Sequence, residues 1–246
     1  MNVTEKITIL YEDDAVLVCI KPAGMPSEGG SDALPVILSA QRCGAYIGTV
    51  HRLDTAVGGC MVFARTRESA SALSAMVQDR RMKKEYLAVV GGVPAEPEGK
   101  MEDLLFKDSS KNKSYVVKRM RRGVKEARLY YRTLESVLDD SGTASLVHIL
   151  LDTGRTHQIR VQFSSRAMPL LGDRKYGGRE GNDIALWSWR ISFPHPVSGR
   201  KLCFSMCPPA ERPWNSFKLI AQNDENAMDS IPQFHILTEN EAKTKK

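Results

Sequence analysis

The sequence contains no long hydrophobic run. No stretch approaches the ~20 apolar residues that a membrane-spanning helix needs. The first residues, Met1-Asn2-Val3-Thr4-Glu5-Lys6, also lack the basic stretch and apolar segment of a secretion signal. We therefore expect a cytoplasmic protein with no membrane partner.

Cysteine is scarce, and the spacing of the cysteines does not indicate disulfide pairs. The five cysteines show no framework spacing, and their odd number does not imply a set of disulfides. Cys203 and Cys207 have the spacing of half a metal site, but no second Cys or His pair completes it. The sequence predicts reduced thiols and no bound metal.

Acidic residues are in slight deficit, with 29 Asp and Glu against 35 Lys and Arg, for a net charge of +6 over 246 residues. This length fits one large domain or two small lobes that share a cleft. The excess concentrates between Lys107 and Arg128, where nine basic residues accompany only Asp108 and Glu126. Such a run is commonly a solvated face, and it indicates a surface for polyanions only if the chemistry of the chain agrees.

Alternating apolar residues and turn formers predict a chain rich in strands. Strands are predicted at 7–20 (a pair), 59–64, 85–90, 114–118, 184–193 and 201–206, with a longer hairpin of 127–138 and 144–151 around Asp139-Asp140-Ser141-Gly142. Helices are predicted at 32–42, after Thr66 as N-cap, and from Thr156 as N-cap to about Arg166. In the last of these, Arg160 shares a face with Thr156 and His157.

The run His51-Arg52-Leu53-Asp54 places an acid close to an arginine. Gly58 and Gly59 follow, and glycine lets the backbone approach a ligand closely. Taken alone, Asp54 is typical of a turn residue or helix cap that pairs with Arg52. Only residues elsewhere in the chain can give it a chemical role.

Further short motifs occur in order along the chain. They are Lys21-Pro22-Ala23-Gly24, the His51 to Asp54 run, Lys84-Glu85-Tyr86-Leu87-Ala88-Val89, Thr153-Gly154-Arg155-Thr156-His157-Gln158-Ile159-Arg160-Val161, Leu171-Gly172-Asp173-Arg174-Lys175-Tyr176-Gly177 and Phe193-Pro194-His195-Pro196. In this order the chain resembles the RluA-type pseudouridine synthase family, from about residue 9 to residue 210. Each motif is weak alone, whereas their succession is specific.

The resemblance implies an enzyme that converts uridine in RNA to pseudouridine without a cofactor. In that reaction the N1–C1′ bond between base and ribose breaks, the base rotates, and it is rejoined through C5. Asp54 matches the family's indispensable aspartate, which attacks C1′ or the base, or assists a glycal route. The sequence leaves these three routes open.

Two further residues match the family's active site. Tyr86 matches the tyrosine that packs on the target base and is a candidate to take the C5 proton. Without the motif, it would be interpreted as a core tyrosine of a strand. Arg160 matches the basic residue that pairs with the aspartate and favours its ionised form, and the alternative is an exposed helix arginine.

The resemblance also implies residues that bind RNA. Arg52 matches the arginine that fills the place of the flipped uridine, with a plain Arg52–Asp54 salt bridge as the alternative. Arg155 and His157 are expected to bind phosphate or hold the loop, and a structural role for His157 is an equal alternative. The remaining predicted RNA-binding residues are His51, Lys21, Lys118, Arg119, Arg121 and Arg122.

The chain departs from the family pattern at two places. Val57-Gly58-Gly59 stands where members commonly carry Thr-Ser-Gly, so two hydroxyls that could hold the catalytic loop are missing. Trp187-Ser188 stands where His-Ala is often found. The stretch before Ile9 is also too short for the S4-type RNA-binding domain of some relatives, so we expect the catalytic body itself to bind RNA.

The fold implied is α+β, with a large, mostly antiparallel sheet in two lobes, helices outside it, and Asp54, Tyr86 and Arg160 in a central cleft. Residues 1–215 are expected to form the catalytic domain. Residues 216–246 are polar and are expected to form a peripheral, partly disordered tail.

Two alternatives to the enzyme remain at this stage. A non-catalytic RNA-binding or assembly factor on the same scaffold is supported only by Val57-Gly58-Gly59. A hydrolase or nuclease that uses Asp54 would need a second carboxylate or a metal, which no motif supplies. The expected partner is ribosomal or transfer RNA, and a monomer is the default because the sequence does not encode an oligomeric state.

Overall fold

The computed structural model describes residues 7–139, 142–179, 183–221, 231 and 234. Their main feature is one sheet of eleven strands. The strands are β1 Ile9–Glu12, β2 Val16–Lys21, β3 Gly48–Thr49, β4 Gly58–Ala64, β5 Lys83–Gly91, β6 Glu98–Asp108, β7 Lys113–Val117, β8 Val124–Asp139, β9 Gly142–Leu151, β10 Leu186–Pro194 and β11 Lys201–Ser205.

The sheet runs in the order β1-β2-β4-β10-β5-β9-β8-β6-β7, with β11 beside β10 and β3 beside β4. Every pairing is antiparallel except β4 with β10, where Trp187 aligns with Gly58 and Ser188 with Gly59. This parallel pair joins a half built from the N-terminal strands to a half built from long hairpins. The predicted α+β class with a mostly antiparallel sheet is therefore confirmed.

Helices are short and few in the described part of the chain: α1 Leu34–Ala40, α2 Arg67–Gln78, α3 Gln158–Ser164 and α4 Lys218–Ala221. The predicted cap of α2 is confirmed, because the Thr66 hydroxyl accepts a hydrogen bond from the Ser69 amide at 3.1 Å. Such a cap satisfies one of the free amides of the first turn. None of these helices is long and apolar enough to cross a membrane.

The start of α3 differs from the predicted start. The helix starts at Gln158, and His157 precedes it in the left-handed region with φ 54° and makes no capping bond through its side chain. Thr156 is therefore not the N-cap. The left-handed turn at His157 redirects the chain so that α3 is buried from Gln158 to Phe163, including Arg160.

The core extends beyond residue 215. Phe217 and Ile220, in and next to α4, are almost completely buried with Trp187, Trp189 and Trp214, and Ile231 joins the same cluster. A polar tail beginning at 216 is thus wrong for its first residues, because these apolar side chains cover the outer face of β5 and β10. Most of the remaining predicted tail lies outside the described residues, as do Asp140 and Ser141 of the predicted hairpin turn.

The two departures from the family pattern contact each other. A Cβ atom on Gly58 would overlap the Trp187 ring, and one on Gly59, whose φ is +118°, would overlap the Ser188 backbone. The indole nitrogen of Trp187 donates to the Met206 carbonyl at 2.7 Å. The missing side chain at Gly58 therefore makes room for a large ring on the neighbouring strand.

Candidate active site

A cleft of about 850 Å³ opens on the face of the sheet where the two halves join. Its walls come from three segments that are distant in sequence: the loop 51–55 before β4, the start of β5, and the loop 152–157 before α3. The predicted catalytic residues Asp54, Tyr86 and Arg160 all line it. The fold therefore brings together the three residues that the family resemblance selected.

Asp54 lies in the loop between β3 and β4, where its carbonyl accepts the Val57 amide at 2.9 Å and closes a turn. Its side chain is 28% exposed. One carboxylate oxygen, Oδ2, receives a hydrogen bond from Arg160 Nη1 at 2.9 Å and lies 3.7 Å from His157 Nε2. The other oxygen, Oδ1, has no hydrogen bond or ion pair among the described residues.

Arg160 is buried between two carboxylates. Its Nε and Nη2 donate to Asp173 Oδ2 and Oδ1 at 2.7 and 2.8 Å, which leaves Nη1 for Asp54. Burial lowers the pKa of the guanidinium, but the hydrogen bonds and charges of Asp173 and Asp54 outweigh it and raise the pKa above its ordinary value. A permanent cation therefore stands behind one oxygen of Asp54.

Tyr86 lies on β5 with its ring buried against the core. Burial, and after it the charge of Asp54, raise the pKa of the Tyr86 hydroxyl well above its ordinary value. The hydroxyl is therefore protonated at neutral pH. Tyr86 lines the cleft together with Asp54, where an aromatic ring can offer an apolar surface to a planar base.

His157 connects Asp54 to the basic hairpin of β6 and β7. Its Nδ1 lies 2.9 Å from the Tyr176 hydroxyl, whose oxygen also accepts the Ser114 amide at 2.7 Å. Burial lowers the pKa of His157 despite the nearby Asp54 carboxylate, so the ring is neutral at neutral pH. Of the roles predicted for His157, these contacts favour the one in which it holds the loop before α3.

Two predicted RNA-binding residues are buried and have structural contacts instead. Lys21 is fully buried, and its Nζ donates to the carbonyls of Pro22, Met25 and Thr55 at 2.8, 2.6 and 3.0 Å. Burial lowers the pKa of Lys21 to about 8, although Asp54 opposes this shift. Lys21 cannot contact RNA from this position, because its three donors hold the loop that carries Asp54.

His51 is the second of these buried residues. Its ring is buried, and its Nε2 accepts the Val62 amide at 3.1 Å, so the ring fastens the His51 to Asp54 run to β4. Burial, and then the charge of Lys84, lower its pKa to about 3. The ring is therefore neutral at neutral pH, and it accepts a hydrogen bond inside the protein instead of contacting RNA.

The remaining predicted RNA-binding residues are exposed, except Arg155, which is half-buried. Arg52 forms an ion pair with Glu28 at the rim of the cleft, and not with Asp54. Arg155 donates through Nε to the Glu126 carbonyl at 2.8 Å. Lys118, Arg119, Arg121 and Arg122 lie in the exposed connection from β7 to β8.

Sequence reasoning assigned no role to Asp173 and Tyr176. Both lie in the motif from Leu171 to Gly177, so the sequence marked this segment without indicating what the two residues do. Their function depends on contacts with Arg160 and His157, which are 13 and 19 residues away in sequence. Sequence separation alone does not reveal such contacts.

The fold and the site together define a class of protein. The chain superimposes on the human protein "RNA Pseudouridylate Synthase Domain Containing 1" with a TM-score of 0.70 over 85% of each chain, at 24% identity. This similarity establishes the pseudouridylate synthase fold. The family model described as RNA pseudouridylate synthase matches residues 15–165.

The chain belongs to the RNA pseudouridylate synthase family. It is 32% identical over 205 residues to the dual-specificity RNA pseudouridine synthase RluA of Escherichia coli, with 80% of this chain and 91% of the relative covered. It is 30% identical to ribosomal large subunit pseudouridine synthase D of Zymomonas mobilis, with 89% and 74% covered.

A third relative is longer than the matched region. The chain is 29% identical to ribosomal large subunit pseudouridine synthase C of Buchnera aphidicola over 79% of its own length, but it spans only 65% of that relative.

Proposed function

We propose that this protein is a cofactor-free RNA pseudouridine synthase that isomerises uridine in structured RNA, ribosomal or transfer. The observation that carries the proposal is the hydrogen-bonded ion pair between Asp54 and Arg160, 2.9 Å long, beside the Tyr86 ring in the cleft. Family membership and the names of the relatives support the same reaction.

The contacts of Asp54 support its role as the catalytic aspartate. Arg160 occupies Oδ2, so the carboxylate is held in one orientation while Oδ1 can approach a bound ribose or base. A fixed cation stabilises the ionised form in a site that excludes water once RNA is bound. The geometry is compatible with attack on C1′, attack on the base, and assistance of a glycal route.

Tyr86 would support the base during its rotation. Its protonated hydroxyl and its ring line the cleft beside Asp54, where a detached uracil would stack on the ring. Because the phenol is protonated at neutral pH, it would accept the C5 proton only while passing its own proton on. We propose stacking as its first role.

The RNA would also contact the basic connection from β7 to β8. Lys118, Arg119, Arg121 and Arg122 are exposed there, and the exposed Tyr115 and Met120 offer apolar contact between them. Arg52 at the rim would enter the space of the flipped uridine after releasing Glu28. We propose a cytoplasmic enzyme that acts as a monomer and needs no metal.

The experiment that tests the proposal compares the wild-type protein with Asp54→Asn. We expect the wild type to form pseudouridine in ribosomal or transfer RNA, and the variant to bind the same RNA without forming product. Mapping pseudouridines in total RNA from cells with and without the protein then identifies the position. Product formation by Asp54→Asn would contradict the assignment of Asp54, and RNA binding without any product from the wild type would favour the non-catalytic alternative.

A further inference from the structure

The strand β5 carries a second functional group into the cleft. Lys84 and Tyr86 are two residues apart, so both side chains point to the same face of the strand, about 7 Å apart along it. Both line the cleft with Asp54. Glu85, which alternates with them, faces the other side of the sheet, where its Oε2 lies 2.8 Å from His148 Nε2.

Lys84 has no partner for its charge within the described chain. No hydrogen bond or ion pair forms at its ammonium group, although the side chain is half-buried. The nearby carboxylate of Asp152 is already shared by Arg80 and Arg128, at 3.3 and 2.9 Å. Burial lowers the pKa of Lys84, and no neighbouring carboxylate counteracts the shift.

Lys21 shows what a buried lysine ordinarily requires. Its ammonium group donates to three carbonyl oxygens, which offset the loss of water. An ammonium group removed from water without such partners is unfavourable. Among the described residues Lys84 Nζ has no such partner and, unlike Lys21, is not sealed from water, so an anion that enters the cleft meets an unpaired ammonium group there.

The loop before α3 keeps space for the Lys84 ammonium. A Cβ atom on Gly154 would lie 3.2 Å from Lys84 Nζ, closer than most side chains tolerate. Glycine at this position therefore leaves the ammonium group free to face the cleft.

We propose that the Lys84 ammonium group binds the RNA phosphate next to the target uridine, whose base lies against Tyr86. This inference rests on the proposed function, because it needs an RNA strand in the cleft. A compact ammonium ion with three donors suits a phosphate oxygen.

The test uses full-length protein with Asp54→Asn as the parent, so that RNA binds without turnover. The probe is a hairpin RNA with uridines in its loop, and its Kd is measured between about 50 and 200 mM salt. We expect Lys84→Met to weaken binding and to reduce the slope of log K against log salt by about 0.7, the value for one lost contact to single-stranded phosphate. Lys84→Arg should keep the slope of the parent.

Lys83→Met provides the matched control, because Lys83 is exposed and alternates with Lys84 on β5. We expect it to leave both the Kd and the slope unchanged. An unchanged slope for Lys84→Met would overturn the proposal.

A second measurement does not depend on the folding of a Lys84 variant. In the parent protein, reductive methylation of Lys84, followed by mass spectrometry, should be at least several-fold slower with the hairpin RNA bound, while Lys83 reacts at the same rate. Equal methylation of Lys84 with and without bound RNA would also overturn the proposal. Failure of the proposed function is distinguishable, because it leaves wild-type protein without product although Lys84 still sets the salt slope.

Discussion

Asp173 fixes the plane of the Arg160 guanidinium through two hydrogen bonds, at 2.7 Å from Nε and 2.8 Å from Nη2. Asp173 is almost completely buried, so it does not itself face RNA. The position of Asp54 Oδ2 therefore depends on a residue outside the cleft. Arg160 transmits the orientation from one carboxylate to the other.

Replacing Asp173 by Asn should impair turnover without weakening RNA binding. Asparagine accepts only one of the two hydrogen bonds, so the guanidinium can rotate away from Asp54. A displacement of about 1 Å in a catalytic group can cost about 100-fold in rate, and we expect kcat to fall by that order. Single-turnover kinetics and a binding isotherm measure the two effects separately.

Asp103→Asn is the matched control for this prediction. Asp103 forms a similar paired contact with Arg166, at 3.0 and 3.3 Å, but it lies away from the cleft. We expect kcat of this variant to change little, because neither residue of this pair contacts Asp54 or Arg160. A fully active Asp173→Asn protein would show that Arg160 is oriented by other contacts.

Replacing Tyr86 by Phe should separate stacking from hydroxyl chemistry. The ring remains, so the Kd for RNA should change little, whereas loss of the hydroxyl should reduce the rate by about 100-fold or more if it transfers a proton. Tyr86→Leu, which lacks a ring, should weaken RNA binding as well. Full activity of Tyr86→Phe would leave stacking as the only role of this residue.

The proposed catalytic residues of the site could be predicted from the sequence motifs. Residues whose role depends on whether their side chains are buried were harder to predict. Asp54, Tyr86 and Arg160 could be selected because the order of motifs is specific, and the fold brings them into one cleft. Lys21 and His51 belong to the same motifs, but the direction of their side chains depends on how β2 and β4 pair. Their charge suggested RNA contact, whereas the structure buries both beneath the loop.

The predicted domain boundary at residue 215 was wrong for a similar reason. The stretch after Trp214 is polar on average, so its composition indicated a tail. Phe217 and Ile220 nevertheless bury almost completely, because the outer face of β5 and β10 exposes apolar rings that need a cover. Average polarity does not identify single anchoring residues.

Gly58 and Trp187 should behave as a coupled pair. We expect Gly58→Ser to destabilise the fold by about 1–3 kcal/mol, because its Cβ overlaps the indole ring and core overpacking has a cost of this order. Adding Trp187→His should remove the overlap and restore part of the stability. Urea unfolding of both single variants and the double variant measures the coupling free energy.

Gly91→Ser controls for the loss of a glycine in a strand. A Cβ on Gly91 would lie 3.6 Å from the Pro169 carbonyl oxygen, an ordinary contact distance. It should therefore have little effect on stability. Strictly additive effects at Gly58 and Trp187 would mean that the two departures from the family pattern are independent.

Acid should destabilise the protein in part through His51. Burial, and then the charge of Lys84, lower the pKa of His51 in the folded protein to about 3 from 6.5. The unfolded chain takes up a proton as pH falls below about 6.5, whereas the folded protein does so only near pH 3. The contribution of His51 to stability is therefore fully present above about pH 6.5 and is lost as pH falls through this window.

The loss should be about 2 kcal/mol between pH 6.5 and pH 5, because each pH unit in the window contributes about 1.4 kcal/mol. His51→Gln isolates this effect, since its amide oxygen can still accept the Val62 amide but does not titrate. Urea unfolding at pH 7 and pH 5 should show a smaller decrease in stability for His51→Gln than for wild type.

Burial also lowers the pKa of His148 and His157, so the variant should retain part of the decrease in stability. Equal decreases in the two proteins would show that His51 is protonated in the folded state at pH 5, and that the loop carrying Asp54 opens to water there.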